Sequence, residues 1–489
     1  MLYALLLLPL AAAILSWFIP ADSPRRLLLL GASGLELCLA LATWLAPPVP
    51  ALGGLLSLDA AGHLVLSTTC VLFFAASVYA FAYLKAEQSG ARTDFQQGLH
   101  FSNAPEATFT ACLLLFLFAS VLVACTRNFG LLWIGIETTT IVSAPLIYFH
   151  RHQRSLEATW KYLLICSVGI ALSLIGNLLL DVSMQHPGGM NTDMDVDALL
   201  TNVRFAHPEW FKAAFVFLLI GYGTKMGIAP MHTWLPDAHS ESPSLVSALL
   251  SGSLLNCAFL GIFRAYEVGV AAGMADFMSS LVMAFGFLSM LVAALFIIGM
   301  GDFKRMLAYS SVEHMGILLI ALGVGAEAVK GGMLHMIGHS LVKAAIFLLA
   351  GNILAKYHTK SSHDVTGLLR VMPLTGFLWL SGIIAITGSP PFSVFISEFT
   401  VLIGLLKGGF PLLGGVFLLL LGGIFVGMIT PVLRMCKGRA PHGVEPLVKE
   451  NPLFIAPSAF LLAVALFLGL CMPRGFDAAL EAAAALVLR

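Results

Sequence analysis

Charged residues are scarce in this sequence. Asp, Glu, Lys and Arg make up 11% of its 489 residues and hydrophobic residues 59%, whereas charged residues run near 25% in soluble globular domains. With a mean hydropathy of +0.93, that scarcity excludes a water-soluble globular protein. The formal net charge is zero, so no basic face invites nucleic acid as a partner. Cysteine pairs are missing as well. Cys38, Cys70, Cys112, Cys125, Cys166, Cys257, Cys436 and Cys471 fall singly, mostly inside apolar runs, with no CxxC. They read as small core hydrophobes rather than metal or iron–sulfur ligands. No cofactor is expected in this chain, and any linked redox chemistry must sit on another subunit.

Long apolar runs are what the sequence does contain, and they indicate an all-α polytopic membrane protein. Fourteen reach bilayer length, at 2–19, 26–46, 62–84, 108–125, 128–149, 159–181, 211–238, 244–266, 276–299, 305–324, 329–352, 371–407, 411–434 and 453–472. The first lacks a basic start, and Arg25 and Arg26 follow it, so it reads as a retained span and not a signal peptide. Fifteen Lys and Arg fall in loops of one parity and eight in loops of the other. This bias puts both termini on the outer side, in keeping with Asp193, Asp195 and Asp197 in the long outer loop.

Two runs are interrupted. Pro230 breaks the seventh span, and Gly388, Ser389, Pro390 and Pro391 break the twelfth. Because the breaks lie an odd five spans apart, a recurring five-helix unit must recur upside down, as in secondary transporters. The predicted organisation is a three-helix segment over 1–107, a first five-helix repeat over 108–268 (helices 4–8), an inverted repeat over 269–436 (helices 9–13), and a final transmembrane helix within 437–489.

Ionisable residues inside these spans are functional candidates by default. Counted from the outer ends of their spans, Glu137, Lys225, His339, Lys343 and Glu398 all lie at roughly 13 to 21 Å depth in a core about 30 Å thick. Snorkelling side chains would cluster at the edges instead. Glu137 and Lys225 have opposite charge and similar depth. If they touch, the carboxylate holds the lysine protonated; if it withdraws, desolvation favours proton release. A static ion pair joining helices is the competing reading. His335, His339 and Lys343 recur every four residues and share one helical face, suited to passing protons; the lysine argues against zinc there. Glu398 reads as the outward end of such a relay or as a buried neutral carboxyl. Lys161 stands near its span end and is equally well a snorkelling residue. Glu36 and the Glu313–His314 pair read as packing or hydration. His232, Asp237, His239 and Glu241 follow the first break, where they would hydrate an inlet or cap the next helix, as would Ser242 or Ser244.

Four long segments, KMGIAPMHTWLPDAHSESPSLVSALLSG, GDFKRMLAYSSVEHMG, HMIGHSLVKAAIFLLAG and GSPPFSVFISEF, resemble the antiporter-like proton-pumping membrane subunits of respiratory complex I, Mrp-type sodium/proton antiporters and membrane-bound nickel–iron hydrogenases. The eighth-helix wording is most similar to the hydrogenase-4 and formate-hydrogenlyase branch. That resemblance implies fourteen helices in two inverted repeats. It implies proton translocation through Glu137, Lys225, Lys161, His335, His339, Lys343 and Glu398. It also implies a prokaryotic plasma membrane, with partner membrane subunits and a peripheral redox arm carrying nickel–iron or iron–sulfur centres. One departure stands out: Asn256 occupies a position where the similar complex I subunit has lysine, so a central step must use water or a neighbouring hydroxyl. A sodium/proton antiporter module and a non-pumping scaffold are the competing functions.

Overall fold

In the computed structural model, which describes all residues except 88–90, 94–97, 99, 186–193 and 489, the chain is almost wholly α-helical. Asp193 therefore lies outside the described residues. The N-terminal segment comprises α1 (Leu2–Phe18), α2 (Asp22–Leu45) and α3 (Ala60–Ala86), followed by a two-stranded antiparallel ribbon of β1 (Ala91–Thr93) and β2 (His100–Ser102). Next come α4 (Glu106–Ala124), α5 (Phe129–Ile147), α6 (Gln153–Ser183), the short α7 (Val196–Asn202), α8 (Pro208–Met226), α9 (Trp234–Glu241), α10 (Ser244–Leu249) and α11 (Leu255–Ala271). The remainder holds α12 (Ala275–Ile297), α13 (Phe303–Val324), α14 (Ala326–Tyr357), α15 (Leu368–Val371), α16 (Pro373–Ile386), α17 (Ser393–Lys407), α18 (Pro411–Cys436), α19 (Pro452–Leu470) and α20 (Arg474–Ala485). Among the described residues, twelve stretches are long and apolar enough to cross a membrane, while α1 and α16 are apolar but shorter. The chain is an integral multi-pass membrane protein.

Both expected breaks are present, and their freed backbone groups find partners, as a low-dielectric surrounding demands. α8 ends at Gly227, whose φ of +78° suits a residue without Cβ. Trp234 Nε1 then donates to the Thr224 carbonyl at 2.8 Å, and Ala229 N donates to Ser289 Oγ at 3.0 Å. α16 and α17 part at Gly388 (φ +65°). Two features were not expected from the sequence. A π turn, Leu250–Leu254, joins α10 to α11 just before Asn256, and α20 follows the last long apolar helix. Neither Ser242 nor Ser244 caps α10: Pro243 occupies that position and Ser242 Oγ bonds Ser247 Oγ at 2.8 Å.

The span formed by α10 and α11, and the apolar stretch of α14, are wholly enclosed by other helices, whereas only a third of the α2 and α18 windows is buried. Polar side chains thus collect on the innermost helices and apolar ones coat the outside. Loop contacts fall into two sets. Arg26 bonds Glu106 and the Leu84 carbonyl, Asn103 pairs with His150, and Asp302 with Ser361. At the other end Leu56 pairs with Thr126 and Asn128 with Asp195, and Lys330 bonds Asp477 of α20. Each joins loops of equal parity, as alternating crossings require.

Arg127 and Arg264, two of the eight Lys and Arg counted in loops of the second parity, are buried. Arg127 pairs with Asp59, with Glu267 at 3.0 Å and with Asp197 at 2.9 Å, while Arg264 reaches Asp59 at 3.3 Å. Burial alone would raise the Asp59 carboxyl, but Arg264, Arg127 and the Gly62 amide outweigh it and hold the group below its ordinary value. A depressed folded-state value stabilises above the unfolded value and is lost as pH falls through the folded one. Thermal melts of the detergent-solubilised chain should therefore weaken on acidification below the ordinary carboxylate range. Asp59→Asn, which leaves two buried guanidinium groups short of a partner, should cost about 3–5 kcal/mol at neutral pH and remove part of that acid sensitivity.

Candidate functional site

The site begins where α8 ends. Lys225, in the last turn of α8, is fully buried. The carbonyl end of a half-helix favours a cation, and the side chain finds two hydroxyls: Nζ donates to Tyr162 OH at 2.6 Å and to Thr140 Oγ1 at 2.8 Å. The ammonium also lies 4.7 Å from the Tyr162 ring centroid, within cation–π reach. Tyr162 OH in turn shares a 2.6 Å hydrogen bond with Ser143 Oγ.

Of the two arrangements of Glu137 and Lys225 considered from sequence, the structure has the separated one. No ion pair within 4.0 Å joins them among the described residues, and the half-buried Glu137 accepts only a 3.5 Å contact from Ser167 Oγ, leaving its Oε2 buried without a partner. Glu137 lies one turn from Thr140 on α5, so it borders the Lys225 pocket without entering it. Lys161 is half exposed and pairs with Glu157 at 2.6 Å and Asp237 at 3.0 Å. It is a rim residue outside the enclosed set, because α6 begins six residues earlier than the apolar run.

A second polar cluster surrounds α14. His335 Nε2 lies 2.9 Å from His314 Nδ1, and His335 Nδ1 lies 2.9 Å from Ser397 Oγ of α17. The His314 ring also faces His339, with centroids 4.9 Å apart. One turn further, Lys343 Nζ donates to the Leu307 carbonyl at 2.6 Å. Glu398 is buried on α17, and its carboxylate packs so closely on Gly388 at the second break that a Cβ there would meet Oε2 at 1.9 Å. His314, read from sequence as packing or hydration, is thus the middle of the cluster. Its depth would have revealed it: ten residues into its span, it stands level with His339.

Asn256 faces a hydroxyl, as its position suggested. Its Nδ2 donates to Ser340 Oγ at 2.8 Å, beside His339, and to the Gly252 carbonyl at 2.8 Å within the π turn. Ser251 and Ser311 share a 2.9 Å hydrogen bond nearby.

After the first break, His239 is buried and stacks on Phe347, centroids 5.0 Å apart and 12° between planes. Phe347 is one turn beyond Lys343 on the same face of α14. Neither ring nitrogen of His239 makes a hydrogen bond among the described residues, so it caps no helix. Further along, Glu241 pairs with Lys360 at 2.9 Å, while Lys304 Nζ donates to the Ser242 carbonyl at 2.7 Å. Glu241, Lys304 and Lys360 line a cavity of about 550 Å³. A second cavity, of about 320 Å³, lies at the second break and is lined by Gly388, Pro390 and Glu398. Several polar atoms between the cavities have no protein partner, among them both nitrogens of His239 and of His339, Asn256 Oδ1, His314 Nε2 and Glu398 Oε1. Buried polar atoms in such numbers call for ordered water.

The family model described as NADH:quinone oxidoreductase/Mrp antiporter, transmembrane, matches residues 126–425, more than half of the chain. The chain belongs to that family. Among the family's curated members, the hydrogenase-4 component F homolog of Methylacidiphilum infernorum is 42% identical over 289 residues, 58% of this chain and 60% of that protein. Hydrogenase-4 component B of Escherichia coli is 32% identical over 54% of this chain and 40% of its own length. NAD(P)H-quinone oxidoreductase chain 4 2 of Thermosynechococcus vestitus is 35% identical over 52% and 46%. The alignments thus span about 60% or less of these relatives. The fold is shared over nearly the full length with solved structures: the archaeal membrane-bound sulfane sulfur reductase (TM-score 0.87, 20% identity, covering 100% of this chain and 98% of that one), the Mrp complex of Dietzia sp. (0.82, 19%, 99% and 97%), and respiratory complex I of Thermus thermophilus (0.81, 23%, 100% of both).

In this family member the Lys225 pocket sets a clear expectation. Tyr162→Phe should destabilise the chain by about 1–3 kcal/mol by leaving a buried ammonium with one fewer acceptor. Adding Lys225→Met should restore part of that loss, a coupling of roughly 0.5–3 kcal/mol in a double-mutant cycle of thermal unfolding.

Proposed function

We propose that this chain is a proton-translocating membrane subunit of a multisubunit redox-driven complex of the hydrogenase-4, formate-hydrogenlyase or complex I kind. Protons would enter through the cavity beside Glu241 and Lys304 and pass His239 to Lys343 and His339. From there the route runs to His314 and His335, and leaves by Glu398 and the cavity at the second break. Lys225, with Tyr162 and Thr140, would load and release a proton under control of Glu137, which stands off in this arrangement and approaches in another. The hydroxyl and amide of Ser340 and Asn256, with water, would link the two halves. Lys161 would act from the rim, through Asp237, which also holds Arg305 at 2.7 Å.

The topology proposed with it has fourteen crossings, inverted repeats over helices 4–8 and 9–13, and both termini on the outer side of a prokaryotic plasma membrane. Nickel–iron or iron–sulfur centres would sit on a peripheral arm carried by partner subunits. One observation supports the reading: two lysines and four imidazoles are fully enclosed, with one cavity at the end of α9 beside Glu241 and another at the second break beside Glu398. A packing role gives no reason to bury so many titratable groups at such cost. Sodium/proton antiport is the competing reading suggested by the Mrp members of the family. It ranks lower because sodium prefers several oxygen ligands and the enclosed groups are mostly nitrogen.

In membrane vesicles containing the assembled complex, Lys225→Met and Lys343→Met should each lower the protons moved per electron at least severalfold while assembly persists. Parental stoichiometry in both variants would refute the proposal, and sodium-dependent activity abolished by Glu137→Gln would favour the antiporter.

A further inference from the structure

The histidine cluster has a property that proton transfer does not require. One ligand atom each from His314, His335 and Glu398 lie within 4.8 Å of one another, from three different helices, and all three residues are buried. Tetrahedral zinc with bonds of about 2.0 Å holds its ligand atoms about 3.3 Å apart, so small side-chain rotations suffice to converge them. Two imidazoles and one carboxylate form a donor set that suits zinc and its neighbours, whereas sodium, magnesium and calcium prefer all-oxygen surroundings.

Three further observations point to a ligand. Glu398 Oε1 is buried with no partner, as are both nitrogens of the adjacent His339, and a bound ion would replace the 2.9 Å hydrogen bond that now joins His335 Nε2 to His314 Nδ1. Glu398 also lines the 320 Å³ cavity at the second break, which supplies an approach for the ion and room for water as a fourth ligand. Ser397 Oγ meets His335 Nδ1 at 2.9 Å, the kind of outer hydrogen bond that orients a metal-binding imidazole through its other nitrogen.

Lys343 looked from sequence like an obstacle to zinc on this helix. It stands two turns, about 12 Å, from His335, and its ammonium is turned to the Leu307 carbonyl. The other two ligands come from α13 and α17; the lysine also meets α13, but at Leu307, two turns before His314.

We infer that His314, His335 and Glu398 form a site for one zinc-class divalent cation, reached through the cavity that the second break forms with α17 and α18. Binding uses the imidazole lone pairs and the ionised carboxylate, so a protonated Glu398 gives up its proton to water as the metal enters. The site stands on geometry alone; only its consequence, that bound zinc arrests proton passage, rests on the transport reading.

The full-length chain in detergent, dialysed against zinc chloride, should retain one zinc per chain. Its zinc X-ray absorption should show two imidazoles and oxygen ligands, with no sulfur. His335→Gln and Glu398→Gln should each weaken binding at least tenfold, while His442→Gln on the exposed loop should not. Failure to retain stoichiometric zinc, a sulfur ligand in the parent spectrum, or affinity indifferent to His335 and Glu398 would overturn the site. The parent spectrum decides even if a variant does not fold. Because none of these readouts measures transport, they leave the proton-path reading to its own test.

Discussion

A lysine ammonium enclosed in protein inside a membrane is the constraint from which the rest of this structure follows. Withdrawing such an ion from water costs several kcal/mol even after relaxation. Hydrogen bonds to a charged group return about 1.5–3 kcal/mol each, so Tyr162 and Thr140 together offset most of that cost for Lys225. No carboxylate takes part in this solvation among the described residues. A negative charge brought near favours the protonated form and its withdrawal disfavours it. That dependence is what makes Glu137, one turn from Thr140, suited to the proposed control.

Satisfying buried charge required breaks in the helices, and the breaks required satisfaction of their own. A continuous α8 would bury the carbonyls beside Lys225 in their own hydrogen bonds. Its termination at Gly227 leaves those carbonyls at a negative helix end near the ammonium, and Trp234 adds a second donor to the Thr224 carbonyl, which also accepts from Gly227 N at 3.1 Å. At the second break, Gly388 offers its bare backbone to the Glu398 carboxylate. Close helix contacts keep this interior shut. Gly221 meets Ser173 and the Gly169 carbonyl, and Gly286 meets the Gly316 carbonyl, at separations that no side chain would allow.

Much of this was legible in the sequence because the membrane imposes simple rules. Apolar length located the helices, Pro230 and the Gly388–Pro391 cluster located both breaks, and depth counting picked out Lys225, His339, Lys343 and Glu398. What escaped was set by rotation and by tertiary contact. The distance from Glu137 to Lys225 depends on which way α5 is turned. His314 was discounted because its immediate neighbours look ordinary, although depth alone placed it level with His339. The π turn before Asn256 leaves no local mark, since Leu, Ser and Gly are equally at home in an unbroken membrane helix. The burial of Arg127 and Arg264 was hidden because their acidic partners are distant in sequence, at Asp59, Asp197 and Glu267.

The central claim is that the polar groups from Glu241 to Glu398 form one hydrated line through an otherwise dry bundle. A cryo-electron microscopy map of the chain in its complex, at a resolution that shows ordered water, tests this most directly. Water density is expected against His239, Asn256 Oδ1, the His339 nitrogens and Glu398 Oε1, bridging Lys343 to the cavities on either side. Apolar packing without water between Lys343 and those cavities would contradict it.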